Sequence, residues 1–99
     1  MKYQYQIWQV KEEYERDFAF RRFDSLNGDF KKDRYQKVYD SEVNYNFVDS
    51  MVVLEEIFRM FNVERPLDFK GHSFSVSDVV VIDGVAYYCD SFGFKRVNW

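Results

Sequence analysis

A single cysteine, Cys89, rules out an internal disulfide, and a single histidine, His72, leaves no spacing of ligands from which to argue a metal site. A reducing cytoplasm is the compartment that fits this cysteine usage. Proline occurs once, at Pro66, and glycine only four times, so no linker or low-complexity segment divides the chain. No apolar run approaches the ~20 residues that a membrane-spanning helix needs. The first residues, Met-Lys-Tyr-Gln-Tyr-Gln-Ile-Trp, lack the apolar core of a signal peptide. There is no phosphate-binding glycine loop. Basic charge is also short. Fourteen Lys and Arg against 17 Asp and Glu leave a net −3, which argues against generic nucleic-acid binding, where a basic face is expected.

The chain is rich in aromatic residues: eleven Phe, eight Tyr and two Trp among 99 residues. A chain of this length makes one domain and buries only roughly 60–65% of its unfolded surface. Aromatics in such excess either fill the core of a small sheet or emerge on the surface as a binding face. The charge is unevenly spread. Residues 1–40 hold nine basic and eight acidic side chains, whereas residues 41–90 hold nine acidic and three basic ones. The later stretch can therefore present an acidic face to a basic partner.

Periodicity supplies the elements. Lys2–Val10 alternates, with Tyr3, Tyr5 and Ile7 on one face, and reads as a strand. Residues 17–22 are ambiguous: Phe18 and Phe20 alternate, while Tyr14, Phe18 and Phe23 nearly meet helical spacing. We read them as a strand entering a short helical turn at Phe23–Leu26, stopped by Asn27-Gly28. Residues 31–34 form a solvated charge run. Residues 35–43 are β-branched and aromatic, hence extended. Residues 50–61 form a helix that Asp49 or Ser50 can cap, with Val53, Leu54, Ile57, Phe58, Met60, Phe61 and Met51 on one half of its circumference. Glu55 and Glu56 occupy its solvent half, toward the positive end of the dipole. Asp83-Gly84 between two apolar runs, residues 76–82 and Val85–Cys89, marks a two-residue hairpin turn. That turn sets Val79 against Tyr88, Val80 against Tyr87 and Val81 against Ala86. Residues 95–99 make a last edge strand. The expected fold is α+β: a mainly antiparallel sheet of four to five strands, with the helix packed across one face.

Few residues invite chemistry. His72, Asp78 and Cys89 are the types of a cysteine nucleophile with its base and orienter. The hairpin register places Asp78 opposite Cys89, however, and a neighbouring carboxylate raises a thiol pKa where a nucleophile needs it lowered. The serines of Ser73-Phe-Ser-Val-Ser-Asp78 serve best as turn formers that bond nearby amides. Tyr35-Gln-Lys-Val-Tyr39 interleaves aromatics with base, as a single-strand stacking surface would. We expect no catalytic residue, no cofactor and no bound metal.

One part of the chain carries a resemblance. The residues Phe61-Asn62, Pro66, the block Asp68-Phe-Lys-Gly-His-Ser-Phe-Ser-Val-Ser-Asp-Val-Val80 and the block Tyr87-Tyr-Cys-Asp-Ser-Phe-Gly-Phe94 resemble the YodL-like domain. Leu54-Glu-Glu-Ile-Phe58 matches the helix that precedes the block. The resemblance implies a domain found in proteins of bacterial conjugative and integrative elements, with no catalytic residues to carry over. It marks Gly71, Ser75, Ser77, Asp78, Asp90 and Gly93 as family positions of structural character. A protein of such elements standing alone is expected to be an anti-defence factor: an anti-CRISPR or antirestriction inhibitor that binds a basic nuclease. Glu55, Glu56, Glu64 and Asp68 are the candidate contacts. The alternative is a nucleic-acid-binding or regulatory accessory of conjugation that uses Lys31, Lys32, Arg34 and Lys37. A third reading is an interaction module without inhibitory role. A membrane partner is not expected, and homo-oligomerisation is left open.

Overall fold

The computed structural model describes residues 2–44, 46, 49–69, 71 and 74–99. The strands are β1 (Lys2–Val10), β2 (Tyr35–Asn44), β3 (Val79–Ile82), β4 (Val85–Cys89) and β5 (Phe94–Val97). They form one antiparallel sheet in the order β2-β1-β3-β4-β5. The helices are α1 (Glu15–Phe18) and α2 (Ser50–Val63). α2 links edge strand β2 to β3, with β1 between them, so the middle of the chain is a split β-α-β unit.

The period-2 alternation of β1 is realised in full. Tyr3, Tyr5 and Ile7 join Val80, Ile82, Tyr87 and Cys89 beneath α2, which contributes Val53, Leu54, Ile57 and Phe61. The opposite face is also covered. Val10, Tyr35, Val79, Val81, Ala86 and Tyr88 pack there against Leu26, Phe18, Phe23, Phe30 and Trp99. β3 is therefore buried on both sides, as a run of Val-Val-Val-Ile requires. This two-faced core absorbs most of the aromatic excess. Tyr5, Tyr39, Phe61 and Phe69 meet edge to face or tilted under α2, and Phe23, Phe30, Tyr35, Tyr88 and Trp99 do so on the far side. Among the described aromatics, only Tyr14, Phe20 and Phe92 are exposed.

The hairpin has the register its turn dictates: Val79↔Tyr88, Val80↔Tyr87, Val81↔Ala86. Asp83 and Gly84 both take positive φ, 48° and 85°. Asp49 caps α2, its Oδ1 accepting from the Met51 N–H at 2.9 Å. The helix runs to Val63, two residues past the expected end. Leu54, Ile57 and Phe61 are fully buried, while Phe58 keeps an exposed edge and Met51, at the first turn, faces solvent. Glu55 and Glu56 lie beyond the first turn of α2, where the helix dipole no longer acts on a side chain.

Three readings are corrected. Residues 17–22 hold no strand: Glu15–Phe18 is a helical turn, followed by Ala19 and a left-handed Phe20 (φ 64°). The expected short helical turn at Phe23–Leu26 does form, as a 3-10 turn stopped at left-handed Asn27 and Gly28. Strand β3 begins at Val79 and not at residue 76, because residues 75–78 fold into a turn closed by Asp78 N–H to Ser75 C=O at 3.1 Å. Residues 31–34 are not wholly solvated. Lys32–Arg34 is a 3-10 turn, and the Arg34 guanidinium lies 3.9 Å from the centre of the Phe18 ring.

Candidate functional site

Ser77 is the knot of the family block. It is buried and non-glycine, yet its φ is 88°. Turns that need this value at the third position ordinarily place glycine there. The strain is held by three bonds to three distant segments. Ser77 N–H donates to Cys89 C=O at 2.9 Å, Tyr35 hydroxyl donates to Ser77 C=O at 2.6 Å, and Phe20 N–H donates to Ser77 Oγ at 3.0 Å. Cys89 N–H in turn donates to Asp78 C=O at 2.8 Å, so Ser77 and Asp78 together face Cys89 in a β-bulge. The buried Asp78 carboxylate accepts from Gln9 Nε2 at 3.1 Å and Ser75 N–H at 3.0 Å. Asp90 Oδ1 accepts from the N–H groups of Phe23 at 3.2 Å and Ser91 at 2.8 Å. Gly93 has φ 69°. Gly71 has no such φ and is needed for space: a Cβ there would lie 2.5 Å from Gln9 Oε1 and 2.8 Å from Phe69 Cζ.

Cys89 lies at the inner end of β4 beside Asp78 and Asp90. Burial first, then these carboxylates, push its thiol up to about 12. A thiol kept protonated at neutral pH is no nucleophile. His72 and Ser73 lie outside the described residues. Among the described residues no group of three or more His, Cys, Asp or Glu is placed to hold a metal ion. No described helix is long and apolar enough to cross a membrane.

The predicted basic cluster is largely engaged with its own chain. Arg34 and Lys31 reach Asp29 at 2.8 and 4.0 Å, and Lys37 reaches Asp40 at 2.7 Å. The Arg34 hydrogen bond holds the Asp29 carboxyl below its usual range. Lys32 lies over the rings of both Trp8 and Trp99, at 5.1 and 5.2 Å. The four acidic candidates do not form one patch. Glu56 is paired with Arg59 at 3.3 Å, and Asp68 accepts from the Tyr39 hydroxyl at 2.9 Å. Glu64 caps the far end of α2. Neither Glu55 nor Glu64 has an ion pair or side-chain hydrogen bond among the described residues, and Glu55 lines a groove.

This groove, of about 300 Å³, opens between α2 and the turn from β4 to β5. Its walls are Phe58, Val76, Cys89 and Phe94, and Glu55 and Asp90 border it, the Asp90 carboxylate being turned to the Phe23 N–H on the far face. Phe92, 94% exposed, stands in the adjoining turn, and Phe20, 65% exposed, is fastened to the bulge next to Val76. Two solvent-facing phenylalanines and an acidic, apolar-walled groove thus share one end of the sheet. Sequence reasoning found Glu55 but missed Phe20, Phe92 and the part Asp90 plays. For Phe92 a signal existed: it precedes Gly93 in a tight turn, where a large ring has nothing to pack against. A wider hollow of about 600 Å³ on the other face is lined by Gln4, Gln6, Asp40, Glu42 and Asp83. Its carboxylates are taken up by Lys37, by Gln4 Nε2 and by Gln4 N–H.

No curated protein and no solved structure matches this chain. The YodL-like domain matches it over residues 4–99, which takes in β1 from its third residue, the other four strands, both helices, the Ser77 bulge and the groove. The chain belongs to the YodL-like domain family.

Proposed function

We propose that this protein is a non-enzymatic inhibitor carried by a mobile genetic element, which binds a CRISPR effector nuclease or another host-defence enzyme and blocks its nucleic-acid channel or its assembly. The observation that carries the reading is the groove end of the sheet. It offers exposed Phe20 and Phe92 as aromatic anchors, apolar walls to receive a side chain, and Glu55 as an anionic partner for a basic protein surface. The net charge of −3 favours approach to such a surface. Against the alternative, direct nucleic-acid binding, stand the carboxylates that pair with Lys31, Arg34 and Lys37 and the indoles that cover Lys32. The test is to run the purified chain with a guide-loaded effector nuclease, and separately with duplex DNA, on a sizing column at two salt concentrations, and to assay DNA cleavage in the same mixtures. Co-migration with the nuclease together with lost cleavage is the expected result. Salt-sensitive co-migration with DNA alone would favour the conjugation accessory. Binding without inhibition would leave an interaction module.

A further inference from the structure

The β5 edge is open, and its hydrogen-bonding phase can be read. Asp90 N–H donates to Gly93 C=O at 2.9 Å, so these two residues form a hydrogen-bonded pair at the end of the β4–β5 ladder. Such pairs alternate along an antiparallel ladder. Tyr88↔Lys95 is then the next hydrogen-bonded pair, and the N–H and C=O groups of Phe94 and Arg96 point outward. The bonds of Cys89, opposite Phe94, go the other way, to Ser77 and Asp78, as this phase requires. β5 ends the sheet, and among the described residues no backbone bond from another element reaches its outer side. Phe94 faces α2, where its ring packs on Phe58 and Phe74 at 6.2 and 6.3 Å between centroids. The groove therefore lies alongside an edge whose backbone is free to pair.

We propose that an extended segment of a partner protein adds to β5 as a sixth strand, bonded to the backbone of Phe94 and Arg96, with one apolar side chain seated in the groove against Phe58 and Phe94. The side chain two positions from it emerges on the same face beside Glu55 and is Lys or Arg. The inference rests on the reading that this protein acts by binding another protein. A second copy of this chain is a poor occupant, since β5 paired with itself about Lys95 sets like charges face to face.

The test selects random heptapeptides displayed on phage against the immobilised full chain, then titrates the best synthetic peptide into the ¹⁵N-labelled protein. Enriched sequences are expected to hold Lys or Arg two positions from a large apolar residue, and the peptide to shift the Phe94 and Arg96 amide signals. Arg96→Pro removes one outward N–H at an edge position where proline is tolerated, and should weaken binding at least about tenfold with the far-UV spectrum unchanged. Methylating alternate backbone amides of the peptide should do the same with the wild-type protein, and decides the matter if Arg96→Pro fails to fold. Absence of enrichment, or binding that survives both changes, would overturn strand addition. If strand addition fails while the wild type still blocks nuclease cleavage, the inhibitor reading stands alone. If peptides bind as described and no nuclease is blocked, the inhibitor reading falls and strand addition stands.

Discussion

Replacing Ser77 by glycine should be milder than replacing it by alanine, the reverse of the usual order inside a strand, where glycine is roughly 0.5–1 kcal/mol worse. Ser77 is 1% exposed and holds φ at 88°. A left-handed conformation costs a residue with a Cβ about 1–2 kcal/mol. Both substitutions remove Oγ and with it the acceptor for the part-buried Phe20 N–H, at about 1–3 kcal/mol. Both keep the Ser77 backbone bonds to Tyr35 and Cys89. Alanine keeps the strain, whereas glycine relieves it. Less glycine's own entropic cost, the glycine variant should be more stable than the alanine variant by about 0.5–1 kcal/mol. At a urea m-value of about 1–2 kcal/mol/M this separates the two midpoints by roughly 0.3–1 M. Trp8 and Trp99, edge to face at 5.2 Å in the second core, report the transition by fluorescence. An alanine variant as stable as the glycine variant would refute a backbone held at positive φ.

Three further outcomes test the packing. Phe61→Ala deletes a fully buried ring that meets Tyr5, Tyr39 and Phe69, and should cost about 3–5 kcal/mol in urea unfolding; a cost under about 1 kcal/mol would move α2 off this face. Gly71→Ala forces a methyl against Gln9 and Phe69 and should cost about 1–3 kcal/mol by the same measurement. In alkali, the Cys89 thiol ionises in the unfolded chain near its model value of 9.0 but in the folded chain only at about 12, so stability is level below pH 9 and falls by at most roughly 1.4 kcal/mol per pH unit from there. Tyr35 and Tyr88, also raised by burial, steepen the fall above pH 10. The urea midpoint against pH should break near 9 in the wild type and not in Cys89→Ser; a flat wild-type profile to pH 10.5 would contradict the buried thiol.

The elements that the sequence disclosed are those whose signals are local. Asp83-Gly84 fixes a hairpin register by turn geometry alone, and the alternation of Lys2–Val10 and the wheel of α2 each need only one sheet or helix face to be buried. Where the reading failed, the cause lies far along the chain. Phe20 takes its left-handed conformation because its N–H is held by Ser77, 57 residues away. Arg34 leaves solvent because Phe18 offers it a ring. The serines before Asp78 announced a turn, but not that it runs through residue 78, because a serine stands at the positive-φ position where glycine would mark it. The groove joins α2 to the β4–β5 turn, so Glu55 could be named from the helical wheel while Asp90 and Phe92 could not be placed beside it.

The central claim, that the acidic groove end and not the basic cluster meets the partner, is tested most directly by charge reversal. Glu55→Lys, Glu56→Lys and the double change Lys31→Glu with Lys32→Glu are compared with wild type in inhibition of, and association with, a guide-loaded effector nuclease. Glu56→Lys also breaks the pair with Arg59, so Glu55→Lys is the cleaner probe. Both glutamates lie on the outer side of α2, where such changes usually stay within about ±0.5 kcal/mol of wild-type stability. The account predicts that Glu55→Lys weakens binding mainly through slower association, while the Lys31 and Lys32 reversals change it little. Full activity in Glu55→Lys together with its loss on reversing Lys31 and Lys32 would contradict it.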